Sequence, residues 1–173
     1  GGTSWRLAIS AKGGTNAENH NHNDVGSYAV ALGSETMVGD QGGPNSYPGD
    51  YFNGDAPQKY KIKGSFGHPV PVVDGRTQSS GGKAKGVVLQ KEFTNEKDVF
   101  SIDYTSAYST PNLDKLIRTF VYDRQGEGNF TVGDEFTAKT PIRFETAITT
   151  RADWKILDDT HLLLATDSEQ MIV

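Results

Sequence analysis

Residues 18–28, ENHNHNDVGSY, place Glu18, His20, His22 and Asp24 at every second position with asparagines between them. A solvated loop has no need of that density of ligating groups. In an extended segment alternate residues share a face. His20, His22 and Asp24 would then converge as a facial triad for iron requires. The competing reading is an Asx-rich turn carrying solvated histidines, because two histidines alone are a weak metal signal.

Two later stretches bear on the choice. Val38-Gly39-Asp40 ends a hairpin that begins just after the histidines, so Asp40 can return to their neighbourhood. Gly67-His68-Pro69 stands at the entry to another strand, a rigid position for an imidazole. Two imidazoles and one carboxylate, completed by water, suit zinc. A cupin-like iron or manganese site also uses HxH but adds a glutamate a few residues on, where this chain has Gly26, Ser27 and Tyr28. His161, alone among strand residues, reads as structural or solvated.

The elements that must position these groups are strands. Alternation marks Trp5–Ser10, Gly26–Leu32, Thr36–Val38, Val70–Val73, Lys85–Lys91, Val99–Thr105, Lys115–Tyr122, Asn129–Val132, Arg143–Thr149, Trp154–Leu157 and Leu162–Ala165. Gly33-Ser34 and Asp74-Gly75 read as tight turns, and TNEKD links two strands that pair. Residues 113–120 could form a short helix, but the following VYD favours a strand. Strands so closely spaced predict an all-β, antiparallel β-sandwich. Residues 40–68 form one long insertion rich in Gly, Pro, Asn, Asp and Tyr, and loops of that length usually carry function.

Composition narrows the function classes. The chain has 173 residues, long enough for one ordinary core, and a formal net charge of −5. That charge gives no general attraction to nucleic acid or anionic membrane, so neither is an expected partner. An anionic substrate would need local positive groups. Cysteine is absent, which excludes disulfides and thiolate metal sites. No apolar run approaches the roughly 20 residues of a membrane span. The last residues, Glu169 to Val173, look like the start of a strand, and a bare apolar edge there predicts a piece of a longer protein.

Three motifs in order, AKGGTNAENHNHNDVGSY, VGDQGGPNSY and GSFGHPVPVVDGRTQ, resemble the sheet domain of the heparinase II/III-like polysaccharide lyases. The similarity covers roughly residues 5–80. It implies a supersandwich-like sheet domain that follows an N-terminal (α/α) toroid, with cleavage of uronic-acid polysaccharides by β-elimination between the two. It also implies that His20 faces the cleft as a catalytic group, and that His22, Asp40 and His68 bind a structural zinc. Tyr47 matches the tyrosine near the cleft, with Asn19 and Tyr51 beside it as substrate contacts. A bacterial periplasmic or secreted protein acting on glycosaminoglycan or alginate is implied too, and an oligomer is compatible with it.

On this reading His20 and His22 do different jobs, so a kink must separate them. Asp24 then reads as a turn or capping carboxylate. The chemistry is coherent. Abstracting the weakly acidic proton beside a uronate carboxylate needs that carboxylate neutralised, a base, and an acid for the leaving oxygen. His20 can neutralise charge or move a proton. Tyrosine serves as base or acid where cations lower its pKa. Tyr47, Tyr51 and Tyr60 offer rings for a sugar to stack on, with Tyr60 read as a loop anchor. The toroid is missing from this sequence, so the chain is expected to hold half an active site and to be inactive alone. The competing classes are a non-catalytic carbohydrate-binding or scaffold module with a structural metal, and a cupin-like iron oxidoreductase.

Overall fold

The computed structural model describes residues 7–173. Trp5 and Arg6, the start of the first expected strand, lie outside them. The fold is all-β, in several antiparallel sheets. β1 (Leu7–Ala11), β3 (Tyr28–Leu32) and β4 (Glu35–Val38) form one sheet, with the two-residue stub β2 (Thr15–Asn16) between β1 and β3 in the chain. Leu32 pairs with Glu35 across Gly33-Ser34, the tight turn expected there.

The largest sheet has the order β10-β9-β8-β7, built from β7 (Val87–Phe93), β8 (Lys97–Asp103), β9 (Leu113–Asp123) and β10 (Asn129–Ala138). β9 settles the ambiguity over residues 113–120. Leu116, Arg118 and Phe120 are buried while their neighbours are not, which is the period of a strand rather than a helix. β12 (Asp153–Ile156), β13 (Leu162–Ala165) and β14 (Gln170–Ile172) make a third sheet, so the strand expected near the end of the chain is present.

Three expectations need correction. Residues 143–149 form a strand only at β11 (Phe144–Glu145), which pairs with β5 (Val72–Val73). Beyond it, the Thr149 carbonyl accepts from the Gly39 N–H at 2.9 Å, and Thr149 and Thr150 donate their hydroxyls to the Gly39 and Met37 carbonyls, so side chains supplement sparse backbone pairing. The strand at Val70–Val73 shrinks to β5, because Pro69 and Pro71 lack N–H donors. A strand also forms at β6 (Gly81–Lys85), pairing with β2, where GGKAK gives no strand signal; Gly86 then separates it from β7.

Apolar burial is divided between two clusters rather than gathered in one core. Val25, Val73, Ile102, Tyr104, Tyr108 and Leu116 belong to the first. Val30, Met37, Val38, Ala152 and Leu164 form the second, with Tyr28 and Phe130 packed against it. The 40–68 insertion is ordered by α1 (Ala56–Lys59), a single turn with Pro57 in its first turn, and by a 3₁₀ turn at Ser65–Gly67.

Candidate metal centre and the groove beside it

The histidine motif lies in the loop between β2 and β3, and buried polar side chains fix its path. Gln78 treats Val25 as a strand partner would: its Oε1 accepts from the Val25 N–H at 3.0 Å and its Nε2 donates to the Val25 carbonyl at 2.7 Å. Asn23 donates to the Gln78 carbonyl at 3.0 Å, and Asn16 donates to Gln78 Oε1 at 3.0 Å. Each buried amide in this network is partnered, which specifies one loop conformation. Asp24 pairs with Lys12, and its carbonyl accepts from Ser27 N–H at 2.9 Å. It is therefore the turn carboxylate expected and not a member of the metal group. Gly26 sits at φ +84°, and a Cβ there would meet the Tyr104 ring at 3.3 Å, so the turn requires glycine.

Arg118 of β9 locks this loop to the next one. Its Nη1 donates to the Gly26 carbonyl and to the Pro69 carbonyl, each at 2.8 Å. Nε and Nη2 grip both oxygens of Asp134 on β10 at 2.8 and 2.6 Å. One buried guanidinium thus joins the segment after His22 to the segment after His68.

His22, Asp40 and His68 come together, with ligand atoms all within 4.8 Å of one another. His22 Nδ1 lies 3.1 Å from His68 Nε2. Asp40 Oδ2 lies 3.9 Å from His22 Nδ1 and 3.5 Å from His68 Nδ1. A tetrahedral ion with bonds of about 2.0–2.1 Å holds its ligand atoms roughly 3.3–3.4 Å apart. The His22–His68 contact is made through His68 Nε2 and the His68–Asp40 contact through His68 Nδ1, so one ion would use one of these nitrogens and draw the third ligand in by a small shift. The group can therefore hold a metal ion.

Its surroundings suit that role. Asp40 Oδ1 accepts from the Gly42 N–H at 2.6 Å, leaving Oδ2 aimed at the imidazoles. His68 is 1% exposed, so its ring is held by packing against the surrounding loops. A Cβ on Gly67 would meet the Ile62 carbonyl oxygen at 2.5 Å, so glycine lets that carbonyl come close. Burial lowers the pKa of His22, and the adjacent His68 adds to the effect; burial likewise lowers that of His68. Both rings are then neutral near pH 7, the form that binds metal.

His20 goes elsewhere. Its φ is +58°, a left-handed conformation uncommon outside glycine, and this is the kink that separates it from His22. The expectation that alternate residues share a face fails here because residues 17–20 form a turn and 21–22 are irregular, not strand. His20 is exposed and its ring packs on Phe52, with centroids 4.5 Å apart. Phe52 contacts Tyr47 and Tyr51, each at 5.2 Å, and Tyr51 contacts Tyr60 at 5.2 Å. Tyr47 and Phe52 are 56% and 49% exposed and form an open aromatic shelf beside His20.

Tyr51, at 2% exposure, lies under the shelf rather than on it, and its buried hydroxyl has no hydrogen-bond partner among the described residues. Tyr60 donates to Asp50, which also pairs with Lys59, so it is the loop anchor expected. Asn19 is exposed near the start of the turn. His161 is exposed and bonds Asp158 at 2.9 Å, away from this site.

Sequence reasoning missed Phe52, Lys63 and Arg118. Phe52 was detectable as an aromatic beside Tyr51 in the insertion. Lys63 reads as solvated charge in KIKG, and Arg118 as the polar face of a strand, so neither carries a local signal. No family model and no curated protein matches this chain.

Proposed function

We propose that this chain is the sheet half of a heparinase II/III-like polysaccharide lyase, organised around a zinc site, which cleaves uronic-acid polysaccharides by β-elimination against a helical toroid. One observation carries the reading. A single HNH motif sends His22 into a three-ligand group and, through a left-handed residue, sends His20 to an exposed aromatic shelf. Zinc fits the two-imidazole, one-carboxylate donor set. Bound there, it would tie three loops together and add positive charge beside the groove. His20 is placed to neutralise a uronate carboxylate or to move a proton. Tyr47 presents an exposed phenol next to the same shelf as the partner acid or base. Secretion or a periplasmic location accords with polymeric substrates.

The second reading is a carbohydrate-binding module without catalysis, favoured by the exposed Tyr47 and Phe52 rings, which need no acid or base to hold a sugar. The deciding experiment uses the longer protein that carries the toroid. Incubation with uronate polymers should raise ultraviolet absorbance from the unsaturated product, and His20→Ala should abolish the rise while zinc content is kept. Binding without any unsaturated product would favour the module.

A further inference from the structure

Lys63 is 2% exposed, yet it has no carboxylate partner among the described residues. Its Nζ donates one hydrogen bond, to the Tyr51 carbonyl at 2.8 Å. Otherwise it faces aromatic rings, 4.7 Å from the Tyr51 centroid and 5.3 Å from that of Phe52. Nearby acids are committed elsewhere: Asp50 to Lys59 and Tyr60, and Asp40 to the histidines and the Gly42 N–H. A buried cation without a counter-ion costs stability, so its retention calls for a use. Burial lowers its pKa, as expected for an ammonium with so little solvation.

The aromatic shelf lies directly over this charge. The molecule as a whole carries −5 and repels anions, so an anionic ligand needs local cations, and Lys63 would act beside His20 and the proposed zinc. Lys61 is exposed on the same insertion, and Arg151, which holds the Gln41 carbonyl, is exposed too, so water screens both. Lys63 is not screened in that way. Beside it, the buried Tyr51 hydroxyl has no hydrogen-bond partner among the described residues.

We propose that Lys63 is the specificity determinant that makes the Tyr47–Phe52 shelf prefer anionic over neutral sugars. This rests on the carbohydrate reading above and adds to it the residue that selects charge. The carboxylate of a sugar stacked on Phe52 would lie roughly 9 Å from the ammonium, allowing one van der Waals layer beyond the ring. Through an effective dielectric of about 20 that corresponds to roughly twentyfold in affinity.

The test measures binding of a uronic-acid tetrasaccharide and of its carboxyl-reduced, neutral counterpart to this chain. The wild type should prefer the acid. Lys63→Met should lose that preference by about twentyfold, bind the neutral sugar as before and melt no lower, since an unpaired buried charge has been removed. Lys63→Gln serves if the methionine variant does not fold, and Lys63→Arg should restore part of the preference. An unchanged preference in a folded neutral variant overturns the proposal, as does equal loss of both sugars, which would mean that the shelf had collapsed. If the wild type binds neither sugar, the carbohydrate reading itself fails and takes this inference with it.

Discussion

His22 and His68 bring two imidazole nitrogens to 3.1 Å, a separation that is costly for two charged rings and natural for two ligands of one ion. His68→Ala should therefore lower metal content and melting temperature together. With metal a thousandfold above its Kd, the lost linkage is about 4 kcal/mol. His20→Ala, by contrast, should keep both, because His20 touches Phe52 and not the ligands; loss of metal in that variant would reinstate the HxH site. Acid should act in the same direction as His68→Ala. Both ligand histidines have pKa values depressed below the ordinary 6.5. The unfolded chain therefore takes up protons first, so stability is full above about pH 6.5 and falls as pH drops below it. A melting series from pH 7.5 to pH 5 checks the sign. At this scale the sequence shows residue types but not backbone signs. Two histidines separated by one asparagine announce a ligand motif, whereas the left-handed φ at His20 depends on the network of Asn16, Asn23 and Gln78, whose members lie up to 62 positions apart.

Strands were legible wherever the chain alternates, as in β9, and illegible where pairing is borrowed. β2 and β6 are held by their neighbours rather than by their own patterns, and around Thr149 threonine hydroxyls supplement a backbone bond from Gly39. The element that matters most to the site is β9, for Arg118 fastens two ligand-bearing loops from outside both. The pair with Asp134 is largely buried, so Arg118→Met should leave that carboxylate with the Tyr104 hydroxyl but no cation and cost about 3 kcal/mol. The double variant Arg118→Met/Asp134→Leu removes that stranded charge and should recover much of the loss. If Arg118 merely stabilises the sheet, metal affinity should recover with stability. If it holds the Gly26 and Pro69 carbonyls in place, the double variant folds yet still binds metal more weakly than wild type. Urea denaturation alongside metal titration separates the two effects, and full recovery of affinity would reduce the clamp to a structural pair.

Across the whole molecule, the groups that the proposed β-elimination would use line one open surface. His20, Tyr47 and Phe52 stand on the same shelf, and the described residues place no opposing wall over it. Orientation of the reacting groups and exclusion of water supply much of an enzyme's rate, and a shelf supplies neither fully. A sugar stacked on Phe52 keeps one face in water, where the field of Lys63 is weakened and a proton passes to solvent as readily as to Tyr47. The ligand group, with His68 buried and Asp40 fixed by Gly42, is by contrast complete within this chain apart from its fourth position. Metal binding and catalysis should therefore separate. Residues 1–173 alone should bind one zinc per chain by elemental analysis, bind acidic oligosaccharides weakly, and give no rise in ultraviolet absorbance with any uronate polymer. Robust turnover by this chain would mean that base, acid and carboxylate clamp all lie within the sheets, and the half-site reading would be wrong.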